Sequence, residues 1–281
     1  MRLARYECDG KVSLGVVEGP EIIDAAVGVA DWSEWFELSG QTRNHLNETL
    51  ASARRLPLSK VRLLTPLARP GKIICLGLNY YDHAAEGGNA KPEYPAFFFR
   101  GATSLLAPDA PIQRPRCSDK LDYEAELAVV IGKRVRHATR ADALSCVAGY
   151  ACFNDATLRD YQRKTAQWTI GKNFDATGAF GPWIVTPDEL PVGATGLRIQ
   201  SRLNGQTMQD SNTDHMIWDV AETISLLTEC LTLEPGDVIA MGTPAGVGYP
   251  RTPPVFMKPG DSIEIHIDGI GVLANSVEDE L

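Results

Sequence analysis

The chain has 281 residues, 44% of them hydrophobic and 22% charged, with a formal net charge of -9. That composition excludes a disordered chain and is long enough for one large core plus a smaller attached unit. The acidic balance offers no basic footprint for a nucleic acid and weakly repels anions in general, so an acid substrate has to be captured by local cations.

The start, Met1 to Gly10, lacks the apolar centre of a signal peptide, and no later apolar run approaches the length of a membrane span, so the chain reads as cytoplasmic with no membrane partner. From Arg2 to about Ala25, apolar and polar residues alternate around Asp9-Gly10 and Glu18-Gly19, which predicts a small meander of strands with tight turns. A helical pattern runs from Trp32 through Leu56, with Trp32, Trp35, Phe36, Leu46 and Leu50 as its buried members. The break at Thr65-Pro66-Leu67-Ala68-Arg69-Pro70-Gly71 then places a boundary between a small α+β unit, residues 1–70, and a larger one, residues 71–281. From Lys72 onward the pattern is mainly β, beginning with Lys72-Ile73-Ile74-Cys75-Leu76-Gly77, with one helix expected near Ile217 to Leu231. Pro235-Gly236 and Pro259-Gly260 each occupy the centre of a turn that precedes a strand. The fold class is therefore mainly β with α.

The stretch Asp122-Tyr123-Glu124-Ala125-Glu126-Leu127-Ala128-Val129-Val130-Ile131-Gly132 sets two carboxylates two residues apart at the mouth of an apolar run. On a strand they share one side, within reach of one small ion. Alternating glutamates are ordinarily a solvated face, but a third carboxylate, Asp155, closes a second apolar run, Val147 to Phe153. An oxygen-only donor set with no paired His or Cys suits magnesium, calcium or manganese better than zinc or copper.

Asn79-Tyr80-Tyr81-Asp82-His83-Ala84-Ala85-Glu86 opens a short helix on which His83 and Glu86 lie one turn apart. The carboxylate can hold the imidazole as an oriented general base; equally, Asn79 and Asp82 can cap a surface helix on which His83 is incidental. Lys172, among glycine and apolar neighbours, and Arg100, at the end of Phe97-Phe98-Phe99, are cations able to bind a substrate carboxylate or simply to snorkel. Met241 to Gly248 is a glycine-rich loop able to bring N–H groups to an anion, without the Lys-Ser/Thr ending of a nucleotide loop. The six scattered cysteines form no Cys-x-x-Cys pair and read as reduced core residues.

Taken in order, Asn79-Tyr80-x-x-His83-Ala84-x-Glu86, Glu124-x-Glu126, Phe153-Asn154-Asp155-x-x-x-Arg159-Asp160-x-Gln162, Gly171-Lys172-x-x-Asp175 and Gly242-Thr243-Pro244-x-Gly246-Val247-Gly248 resemble the fumarylacetoacetate hydrolase family. The match runs from about Lys72 to the C-terminus. It implies a mixed β-roll catalytic domain in a homodimer, preceded here by the small α+β domain, with magnesium or manganese held by Glu124, Glu126 and Asp155. It further implies His83, Glu86 and Lys172 as catalytic groups, with Gln162, Gly242, Thr243 and Arg100 at the substrate. Many relatives carry lysine where this chain has Arg100, so that planar fork is expected to read the substrate's far end differently. The implied activity is hydrolysis of a carbon-carbon bond in a 2,4-dioxo acid, giving pyruvate and a second carboxylic acid. Oxaloacetate decarboxylation, isomerisation of a 2-oxo acid and an idle dimeric scaffold are the alternatives.

Overall fold

The computed structural model describes residues 1–38, 41–86 and 93–281, apart from the side chains of 41–45 and 84–86. Strands β1 (Arg2–Cys8), β2 (Lys11–Glu18) and β3 (Glu21–Asp24) form the expected antiparallel meander. The β1–β2 turn sets Asp9 at φ 52° and Gly10 at φ 75°, the paired left-handed residues that a tight two-residue hairpin demands. Where the sequence pattern predicts one long helix there are two, α1 (Trp32–Glu37) and α2 (Gln41–Ser52), followed by β4 (Arg55–Pro57) and β5 (Arg62–Leu63). Helix α1 stops because Leu38 turns extended, and Leu56 leaves helix because the following Pro57 disfavours αR at the residue before it. Trp32, Leu46 and Leu50 are buried as expected, whereas Trp35 and Phe36 are only partly so.

The larger part of the chain continues through β6 (Ile73–Gly77), α3 (Tyr81–Glu86), β7 (Ala96–Arg100), β8 (Leu105–Leu106), β9 (Ile112–Arg114) and β10 (Leu121–Asp122). Next come β11 (Ala125–Ile131), β12 (Val147–Asp155), β13 (Thr157–Leu158), α4 (Arg159–Gln162), α5 (Thr169–Lys172) and β14 (Gly178–Val185). It closes with β15 (Arg198–Leu203), β16 (Gln206–Asn212), α6 (Val220–Cys230), β17 (Val238–Ala240), β18 (Ser262–Ile267) and β19 (Gly271–Asp279). Helix α6 starts later than its apolar pattern because the Asp219 carboxylate caps it, accepting from the Glu222 N–H. Both Pro-Gly turns close as expected: the N–H groups of Asp237 and Asp261 donate to the carbonyls of Glu234 and Lys258, with Gly236 and Gly260 at positive φ.

A mixed sheet runs in the order β4-β3-β2-β1-β14-β12-β11-β17-β6-β7, and a second sheet in the order β16-β15-β18-β19-β9. The N-terminal meander is thus built into the large sheet, Arg2 pairing with Val185 across β1 and β14. Strand β11 is buried on both faces, which is why it reads as an unbroken apolar run. Leu127, Val129 and Ile131 enter the core shared with Ile199, Ile263 and Ile265 of the second sheet. Ala128 and Val130 enter the opposite core with Ala151, Phe153, Trp32 and Leu46. No helix among the described residues is long and apolar enough to cross a membrane.

Candidate metal centre and active site

Strand alternation places the carboxylates. Glu126 shares the side of Ala128 and Val130, Asp155 shares that of Ala151 and Phe153, and β11 pairs with β12 so that Glu126 faces Phe153. Glu124 lies one residue ahead of β11, tied in by the Asp155 N–H donating to its carbonyl at 3.0 Å and by its own N–H on Asn154 Oδ1. Glu124, Glu126 and Asp155 each offer an oxygen within 4.8 Å of the others, and all three are buried. Like charges at that separation repel by about 3–4 kcal/mol each at an effective dielectric near 20, which rules out the solvated-face reading and calls for compensating charge.

Part of that charge is supplied by the chain. Lys172 Nζ sits 2.5 Å from both Glu124 Oε2 and Asp155 Oδ2. Arg159 bridges Asp122, at 2.8 Å, and Glu124, at 2.7 Å, and also donates to Gln162 Oε1. Arg100 is held 2.5 Å from Asp155 Oδ1 and donates to Thr177 Oγ1 and Ser104 Oγ. Four buried carboxylates, Asp122, Glu124, Glu126 and Asp155, therefore face three buried cations. Burial would raise Glu124, but Lys172, Arg159 and His83 bring it down to about 2. Glu126 forms no ion pair among the described residues: burial first, then Asp155 and Glu124, push it well above the ordinary carboxyl value, and Lys172 and the Gly242 N–H offset this only in part. Burial would lower the Lys172 ammonium, yet Asp155 and Glu124 outweigh it and raise it. The unpaired acid is thus Glu126, and a divalent cation among three carboxylate oxygens would turn the excess negative charge into one excess positive charge. The donor set fits such an ion.

The glycine-rich loop delivers its N–H groups to anions, as the sequence pattern suggests, but the anions are the protein's own carboxylates. Gly242 N–H donates to Glu126 Oε2 at 2.9 Å, and Gly248 and Tyr249 N–H donate to the two oxygens of Asp122 at 2.7 and 2.9 Å. A Cβ on Gly248 would stand 1.7 Å from the Val255 carbonyl. Gly248→Ala is accordingly expected to destabilise the protein by about 1–3 kcal/mol and to loosen Arg159 through Asp122, read as a lower urea midpoint together with weaker substrate binding.

Above the triad lies a cavity of about 440 Å³. His83, Glu124, Glu126, Gln162, Lys172 and Thr243 all line it, so most residues singled out from sequence do converge. Thr243 Oγ1 donates to the Ala125 carbonyl and accepts from Gln209 Nε2. The side chain of Glu86, at the end of α3, lies outside the described residues. Arg100 is not among the residues lining the cavity: its buried guanidinium is paired with Asp155. Sequence reasoning missed Asp122 and Arg159 as a pair and overlooked Gln209, which links Ala125 to Thr243. The signals for Asp122 and Arg159 were in view, an acid opening the Glu124 stretch and an arginine four residues after Asp155, but their pairing is made only in three dimensions.

Residues 72–278 match the family described as Fumarylacetoacetate (FAA) hydrolase C-terminal, and residues 1–66 match one described as Rv2993c-like, N-terminal. The chain belongs to the fumarylacetoacetate hydrolase family and is an enzyme of that class. Among its relatives, the mitochondrial oxaloacetate tautomerase FAHD2A of Bos taurus is 42% identical over 224 residues, covering 79% of this chain and 71% of that protein. Among solved structures, the fumarylacetoacetate hydrolase of Exiguobacterium antarcticum aligns over all of both chains with a TM-score of 0.87 and 36% identity. The maleylpyruvate hydrolase of Sphingobium sp. SYK-6, solved with manganese(II) and pyruvate, does so with a TM-score of 0.84 and 34% identity.

Proposed function

We propose that this enzyme hydrolyses a carbon-carbon bond in a small 2,4-dioxo acid of the acylpyruvate type, releasing pyruvate and a second carboxylic acid. The observation that carries the reading is the buried Glu124-Glu126-Asp155 cluster on the floor of a cavity walled by cations and His83. It is supported by the manganese and pyruvate in the maleylpyruvate hydrolase. Magnesium or manganese, when bound by the three carboxylates, supplies positive charge that polarises the 2-oxo group and favours negative charge developing on its oxygen. Arg159, with its Nη2 buried and without a hydrogen-bond partner among the described residues, and Gln162 beside it hold the substrate's carboxylate. Lys172 adds fixed positive charge where the enolate forms, so the transition state gains more than the ground state. Thr243 and Gly242 anchor Ala125 and Glu126 and fix the floor under the substrate. His83 takes a proton from water, the water attacks the C4 carbonyl, and the C3–C4 bond breaks to leave pyruvate as its enolate. Arg100 acts at one remove, holding Asp155 in place. The proposed assembly is a homodimer and the proposed setting cytoplasmic, with the division into two units near residue 70.

A second reading, keto-enol conversion of oxaloacetate without cleavage, is favoured by the 42% identity to the oxaloacetate tautomerase. It uses the same electron sink but needs no attacking water. Pyruvate release from a panel of acylpyruvates, run beside the decay of enol absorbance with oxaloacetate, separates the two. His83→Ala is expected to lower kcat for acylpyruvate cleavage by about 10² to 10⁴-fold. Cleavage at the parent rate in that variant would remove the water-activating role.

A further inference from the structure

With Arg100 facing inward, the substrate's far end is left to another group. Arg159 and Gln162 begin and end the short helix α4, Arg163 follows as its C-terminal cap, and all three line the cavity. The two arginines are differently committed. Arg159 is neutralised by Asp122 and Glu124, and Lys172 by Glu124 and Asp155. Arg163 is ion-paired with no carboxylate among the described residues; its guanidinium lies 3.9 Å over the Tyr249 ring and donates to the Tyr249 hydroxyl. The Tyr249 backbone N–H donates to Asp122, and Tyr249 lines the cavity beside Pro250. An exposed arginine is ordinarily free to wander, but one stacked on a ring is already partly ordered and loses less entropy when an anion arrives.

We propose that Arg163 reads the distal carboxylate of a dicarboxylic 2-oxo acid, so that the preferred substrate class carries an acid group at each end. The inference rests on the 2-oxo acid reading above. It assigns the two ends of the substrate to two arginines four residues apart in the chain, Arg159 near the carboxylate floor and Arg163 at the Tyr249 wall. Arginine suits the second position because its planar fork can stack on the ring and still present two N–H groups to a carboxylate.

The test uses two unreactive ligands that share an oxalyl head and differ at the far end, N-oxalylglycine with a distal carboxylate and N-ethyloxamate with a methyl group in its place. Binding to the manganese-loaded protein is measured by calorimetry for the parent and for Arg163→Met, which keeps an unbranched apolar stem. The parent is expected to prefer N-oxalylglycine by about 10-fold, and R163M to abolish the preference while leaving N-ethyloxamate within about 2-fold of the parent, since a charge-assisted contact of this kind is worth about a factor of 10 or more. Equal binding of both ligands by the parent, a preference retained in R163M, or equal loss of both ligands in R163M overturns the assignment. Failure of both ligands to bind the parent at millimolar concentration instead removes the 2-oxo acid reading, and the assignment falls with it.

Discussion

Glu126→Gln is expected to abolish activity, by at least about 10³-fold in kcat, while leaving the fold intact. The effect on rate follows from losing one of three oxygen ligands, since a Lewis-acid cation contributes several kcal/mol of transition-state stabilisation. The effect on stability follows from the charge pattern. Glu124 and Asp155 have cationic partners, whereas among the described residues Glu126 receives one backbone N–H and forms no ion pair. Burial, then Asp155 and Glu124, raise its carboxyl well above 4.5, so it is close to a neutral acid that an amide can mimic. The folded metal-free protein therefore keeps this proton to higher pH than the unfolded chain does. Its stability falls as pH rises above the unfolded carboxyl value and goes on falling until the folded group also ionises. E126Q has no such proton and is expected to lack that decline. Urea unfolding of chelator-treated parent and variant at pH 5 and pH 8 reads it, and a variant markedly less stable than the parent at pH 8 would show that Glu126 is structurally paired instead.

Asp155→Ala is expected to do the opposite and cost stability outright. Asp155 is fully buried and is shared by Arg100 and Lys172. Removing it leaves two cations in the interior, one of them, Arg100, with no other ion-pair partner among the described residues, and breaking a buried pair in this way costs about 3–5 kcal/mol. The two arginine-linked losses should not add: Arg100→Met placed on D155A is expected to recover part of the stability, a coupling measurable by a double-mutant cycle in urea. A D155A protein within 1 kcal/mol of the parent, judged on the scale of that same principle at about a third of the expected loss, would mean that the Arg100 site is hydrated and not the dry ion pair described above.

The carboxylate cluster was legible in the chain because it follows from local periodicity. Strand alternation puts Glu124 and Glu126 on one side, and the end of the next apolar run supplies Asp155, so no knowledge of strand partners was needed. The Pro-Gly turns and the opening meander were legible for the same reason. What was not legible depends on distant pairing. Composition around Arg2 and Val185 carries no sign that β1 would pair with β14 in the large sheet. Arg100 ends an apolar strand, and a strand pattern cannot say whether its last side chain faces ligand or interior; that is settled by Asp155 and Thr177, 55 and 77 residues away. Arg163 drew no notice in sequence because its setting is made by Tyr249, on a loop 86 residues on.

The central claim is that Glu124, Glu126 and Asp155 form a cation site through which an oxo acid is held. Calorimetric titration of metal-free parent protein with manganese, followed by oxalate as a mimic of enolpyruvate, tests it most directly. The account predicts one manganese per chain and oxalate binding that appears only once the metal is present, with both lost in E126Q. Oxalate binding of equal strength without metal, or manganese binding undiminished in E126Q, would contradict it.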